Sequence, residues 1–94
     1  MRLLLSLSFL ALLVGCGISP SEQFNLGVAY ANGAGVSQDD VLAYAWWNIA
    51  QAGDYEYASV RKERASRGMT KEQIAEAREL SRELMRKIEA NTSD

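Results

Sequence analysis

Histidine is absent from the 94 residues, and cysteine and proline occur once each. Without histidine the commonest general base is missing, and no G-x-S-x-G segment supplies an activated serine, so hydrolytic catalysis finds little support. Cys16 has no second cysteine in the chain to pair with. No Lys or Arg stands between Arg2 and Arg61, where the only charges are Glu22, Asp39, Asp40, Asp54 and Glu56. A formal net charge of −2 lacks the basic footprint of a nucleic-acid binder. No run alternates polar and apolar residues as a half-buried strand does. The apolar run Leu3 to Val14 spans 12 residues, whereas a helix crossing the bilayer core needs about 20.

One basic residue, Arg2, followed by that short apolar run has the form of a secretory signal. The run closes on Leu13, Val14, Gly15 and Cys16, which resembles the lipobox of bacterial lipoproteins. The resemblance implies that residues 1–15 are removed and that the Cys16 thiol is lipidated at a new N-terminus. Several acyl chains on one residue hold a protein to a membrane more lastingly than a single chain, at about 0.8 kcal/mol per buried CH₂. Gly17 follows the cysteine, which leans towards the outer membrane (periplasmic face) over the inner. Residues 16–19 then form a lipidated end and short tether.

Beyond residue 15 the chain has 79 residues, with 9 basic and 12 acidic side chains. A domain of this size buries little more than about 60 per cent of its unfolded surface and is correspondingly marginal. Its charges segregate: residues 61–94 carry nine basic and seven acidic side chains, while the seven aromatics from Phe24 to Tyr57 all lie in the acidic half.

Caps and glycines divide the remainder into four helices, predicting an all-α domain. Ser19, Pro20, Ser21 and Glu22 combine a serine cap, a proline in the first turn and a reciprocal acid, starting a helix that runs to about Ala31. Ser37 and Asp40 repeat the cap spacing, and Asp39 with Asp40 favours the positive end of the next dipole. That second helix, to about Ala52, is too apolar to bury one face alone and should be central. A third spans Tyr55 to Arg67 with a thin apolar face and stops at Gly68, a plausible left-handed position. Thr70 and Gln73 begin a fourth, whose Ile74, Ala77, Leu80, Leu84 and Ile88 form a stripe at helical spacing. Glu83 and Lys87 can pair across one turn, and residues 91–94 should fray as a disordered tail.

The order Leu26, Gly27, Tyr30, Gly33, Gly35, Val36, Asp39, Ala43, Trp46, Ala50, Ala58 resembles the Sel1-like repeat, a helix-turn-helix unit related to the tetratricopeptide class. The resemblance implies an α-solenoid type of fold. One repeat covers residues 20–57, and capping or degenerate helices follow over 58–90. Gly27 would allow close approach of two helices, Tyr30 and Trp46 would fill the space between them, Gly33 and Gly35 would make the bend, and Ala43, Ala50 and Ala58 would be small interhelical contacts. Glu22 stands where the family has an alanine facing a preceding unit, which suits an N-terminal end. Asp54 takes the position of the family's helix-ending glycine, a substitution aspartate tolerates in left-handed geometry.

The bend GAGVSQDD lacks the Lys-Ser/Thr of a phosphate loop, the preceding strand of a dinucleotide fold and the alternating ligands of a calcium loop, so no cofactor or metal is expected. Trp46 is assigned to the interior of the repeat, since adjacent helix residues point about 100° apart. Trp47 is left either packing on the fourth helix or as a partly exposed anchor, and Tyr44 shares that ambiguity. Tyr44, Trp47, Leu80 and Leu84 are the candidate partner contacts.

The expected function is that of a membrane-anchored interaction module, a scaffold or adaptor in the bacterial cell envelope that binds another envelope protein or itself. The alternatives are a peptidoglycan- or glycan-binding protein or enzyme using the acidic aromatic half, and a mobile-element surface lipoprotein.

Overall fold

The computed structural model describes residues 18–92, so the signal-like segment and Cys16 lie outside the described residues. Among the described residues four helices follow one another: α1 Pro20–Asn32, α2 Asp40–Ala52, α3 Tyr57–Ser66 and α4 Lys71–Thr92.

Local signals account for most of these boundaries. The Ser19 hydroxyl accepts from the Glu22 amide while the Glu22 carboxylate accepts from the Ser19 amide at 2.8 Å, a complete capping box ahead of Pro20. Helix α1 ends at Gly33, whose φ of 68° is left-handed, and Gly35 repeats the sign at 80°. The Asp39 amide then donates to the Tyr30 carbonyl at 2.9 Å, closing the bend and turning the chain back on itself. Thr70 and Gln73 form the second capping box, with reciprocal bonds of 3.0 and 2.9 Å.

Four local details differ from expectation. Asp39, not Ser37, caps α2, its carboxylate accepting from the Leu42 amide at 3.0 Å. Gly68 does not take the left-handed conformation; after α2 that role falls to Asp54, with φ 68°. Helix α4 is regular through Thr92, past Ala90. Its short-range ion pair joins Arg82 to Glu79 at 2.7 Å rather than Glu83 to Lys87.

Helix α2 is central, as its composition requires. It buries Ala43, Tyr44, Ala45, Trp46, Trp47, Ile49 and Ala50, and it packs against α1, α3 and α4. Towards α1 and α3 it presents Ala43, Trp47 and Ala50, which cluster with Ala58 and are flanked by Phe24, Val28, Tyr30 and Tyr55. Towards α4 it presents Tyr44 and Ala45, which meet Ala77, Ile74, Leu80 and Leu84. Ala65 of α3 touches both clusters, so the short helix closes the seam between them. The start of α1 meets the end of α2 where Pro20 packs on Gly53, which makes the pair antiparallel.

Candidate interaction site

The contact between α1 and α2 rests on Gly27 and Trp47. A Cβ on Gly27 would fall 2.4 Å from the indole nitrogen, so the glycine leaves room for the ring itself. The indole N–H donates to the Phe24 carbonyl at 3.1 Å, satisfying its one donor inside the interface. This corrects the assignment of Trp46 to that space. Trp46 is buried, at 9% exposure, but it is Trp47 that fills the gap over Gly27. Ala43, Trp46, Trp47 and Ala50 are spaced i, i+3, i+4, i+7, so both indoles share one broad helix face, and the phase of α1 decides between them.

Other repeat positions fall as follows. Ala43, Ala50 and Ala58 are buried together, Tyr30 packs on their cluster, and Leu26 is half-buried. Gly33, Gly35 and Val36 form the exposed bend that Asp39 closes.

The candidate partner contacts need a larger correction. Tyr44 and Trp47 are only 5% and 3% exposed, and neither offers a free apolar surface. Leu80 and Leu84 are half-buried against the cluster containing Tyr44. With α1, α3 and α4 all on α2, nearly every large side chain of that helix is used internally.

Exposed apolar surface lies instead on α3, where Tyr57 is 61% and Val60 55% exposed. An aromatic row leads to it from the interior. Trp47 lies 6.3 Å from Phe24, Phe24 lies 5.0 Å from Tyr55, and Tyr55 meets Tyr57 edge-on at 5.6 Å. The Arg61 guanidinium stands over the Phe24 and Trp47 rings at 5.7 and 5.8 Å, a cation–π arrangement that leaves its N–H donors available.

A polar network that sequence reasoning missed links α2, α3 and α4. The Lys62 ammonium donates to Asn48 Oδ1 at 2.7 Å and to Gln51 Oε1 at 2.6 Å, and it stands 5.4 Å from the Tyr44 ring. Asn48 in turn donates to the Ser81 hydroxyl at 2.9 Å, which donates to the Arg78 carbonyl at 2.8 Å. Burial, and secondarily the Arg78 charge, hold the Lys62 pKa below its ordinary value. The one available signal was compositional: Asn48 interrupts an otherwise apolar helix, and Ser81 sits one residue past Leu80 on the α4 stripe. Its chemistry is that of an interhelical clamp.

Three of the five carboxylates of the acidic half serve local roles. Glu22 and Asp39 cap helices, and Asp40 accepts from Gln38 at 2.7 Å. Among the described residues no group of three or more His, Cys, Asp or Glu side chains could hold a metal ion. A groove of about 70 Å³ between Gln23, Ile49, Met85, Ile88 and Glu89 is too small for a drug-sized ligand. Among the described residues no helix is long and apolar enough to cross a membrane.

No family model, curated protein or solved structure matches the chain.

Proposed function

We propose that this chain is a protein–protein interaction module of the bacterial cell envelope, a single Sel1-like helix pair extended by two helices and held at the membrane by lipidated Cys16. The observation that carries the proposal is the contrast between a closed interior and an open outer helix. The large side chains of α2 are enclosed, whereas α3 buries Ala58 and leaves Tyr57 and Val60 exposed on one side. Tyrosine and arginine at such a surface are the residue types that dominate binding energy in protein interfaces. A spacer of the length from Cys16 to Ser19 can reach at most about 10 Å at 3.3 to 3.6 Å per residue, which favours a membrane-proximal partner.

The test is photocrosslinking in native membranes, with the full lipidated chain carrying a photoreactive residue at Val60. A discrete adduct from Val60, absent when the probe is placed at exposed Glu72 on α4, is the expected result. Recovery of uncrosslinked monomer from every exposed position overturns the proposal.

A second reading is favoured by the row Phe24, Tyr55 and Tyr57, since a run of neighbouring aromatics also suits a glycan. Co-sedimentation with purified sacculi separates it from the first. Pelleting that is lost in Tyr57→Ser, without a protein adduct, would favour the glycan.

A further inference from the structure

We infer that the outer stripe of α3, formed by Tyr57, Val60, Arg61 and Arg64, docks an acidic amphipathic protein segment; the inference rests on the reading of the chain as an interaction module and adds the partner's chemistry. The four residues are spaced i, i+3, i+4 and i+7, so they occupy one continuous helix face. Tyr57, Val60 and Arg64 are exposed, and Arg61, half-buried, forms the inner edge of the stripe where it meets the Phe24 and Trp47 rings. Among the described residues Arg67 pairs with Glu63 and Arg82 with Glu79, and no ion pair to a carboxylate engages Arg61 or Arg64. Arg61 is also held in place by the Phe24 and Trp47 rings, which lowers the entropy lost when it binds an anion. An apolar pair flanked by one preset and one exposed guanidinium is complementary to a segment carrying apolar anchors beside Asp or Glu, with bidentate Arg–carboxylate contacts supplying direction.

The same charges would also attract an anionic bilayer, but the placement of the acidic residues opposes it. Pro20 packs on Gly53, so Glu22, Asp54 and Glu56, all exposed, gather at the end of the molecule where the chain leaves towards Cys16. Those carboxylates would face the headgroups first and repel them. The stripe runs away from that end along a ten-residue helix of about 15 Å, a small patch suited to modest affinity. Sharing a membrane with the partner raises the effective concentration and compensates for that modest affinity.

The experiment uses the full lipidated chain in zwitterionic nanodiscs, with two synthetic helical peptides as probes: one repeating Glu and Leu at helical spacing, the other with Lys in place of every Glu. The Glu peptide is expected to bind in fluorescence anisotropy and the Lys peptide is not. Arg64→Glu, and separately Val60→Ser, should each weaken binding by about tenfold. Both side chains are exposed and away from the core, so circular dichroism should be unchanged; Arg61→Glu is informative only if its melting curve also is. Equal binding of both peptides, or indifference to Arg64→Glu, overturns the inference, as does preferential binding to vesicles containing anionic lipid. If Val60 crosslinks to an envelope protein and Arg64→Glu leaves that adduct intact, the module reading stands and the acidic partner falls. If no adduct forms anywhere, the module reading itself falls.

Discussion

The indole of Trp47 occupies the space that a side chain on Gly27 would fill, and its N–H reaches the Phe24 carbonyl one turn earlier on α1. One missing methyl group thus permits the close approach, and one hydrogen bond orients the ring within it. Fully burying an indole removes roughly 150–250 Å² from water, or about 4–6 kcal/mol as an upper figure at 25 cal/mol per Å². That is a large share of the stability of a domain this small.

Gly27→Ala should therefore destabilise by about 1–3 kcal/mol, because the ring cannot retreat without shifting α1 from α2. Thermal melting followed by circular dichroism checks this. Trp47→Phe should cost more than Trp46→Phe, since only Trp47 loses both the fit over Gly27 and the bond to Phe24. Equal losses would count against the central role of Trp47.

Asp54 carries a φ of 68° without being glycine. Left-handed geometry costs a residue with a Cβ about 1–2 kcal/mol, and Asp meets part of that cost by local hydrogen bonding. Asp54→Gly is expected to be neutral or stabilising by up to about 1 kcal/mol, and Asp54→Val to destabilise by about 1–2 kcal/mol. Urea denaturation midpoints of the two variants should move in opposite directions or differ by that sum.

Lys62 gives the domain an alkaline signature. Its folded-state pKa lies below the ordinary 10.5, through burial first and Arg78 second. Between the lowered value and 10.5 the unfolded chain binds more protons than the folded one, so stability rises with pH across that window. Below the window the ammonium is charged in both states and its desolvation cost is fully present. The groups facing it are Tyr44, Asn48 and Gln51 of α2 and Arg78 of α4. Urea midpoints measured from neutral to alkaline pH should show a more positive slope in the parent chain than in Lys62→Met, which lacks the titrating group. Parallel slopes would remove Lys62 as the cause.

Val60 separates binding from folding. Because its side chain is mostly exposed, Val60→Ser should leave stability within about 0.5 kcal/mol of the parent. The same substitution should lose the interaction assigned to α3. A large fall in melting temperature would mean that Val60 supports the fold and that its exposure misleads.

Where the helices begin and end was largely legible without coordinates. The Ser19–Glu22 and Thr70–Gln73 boxes form as their spacing implies, and Gly33 and Gly35 turn the chain with positive φ. Asp54 keeps the turn that a glycine would otherwise make. The error at Ser37 is of the same local kind, since two acceptors compete for one helix start and the nearer, Asp39, captures the Leu42 amide.

The contact surface was not legible in the same way. For Tyr44 and Trp47 the choice between packing on the fourth helix and partial exposure stayed open, because a helix with so many apolar residues exceeds what one neighbour can cover. Three neighbours cover it. Tyr57 and Val60 read as part of the same thin apolar face as Ala58 and Ala65, and only the docking of α3 on α2 through Ala58 and Ala65 turns Tyr57, Val60 and Arg64 away from the core.

The sequence by itself determined the all-helical character, the caps, the bend and the centrality of α2, since these follow from hydrogen bonds and dihedral preferences within a few residues. Tertiary structure alone decided which indole fills the gap over Gly27, which polar groups meet around Lys62 and which face of α3 is left open. Those outcomes depend on the rotation of each helix about its axis, and that rotation is set by the shapes of neighbours distant in the chain, which share pairwise packing but no local signal.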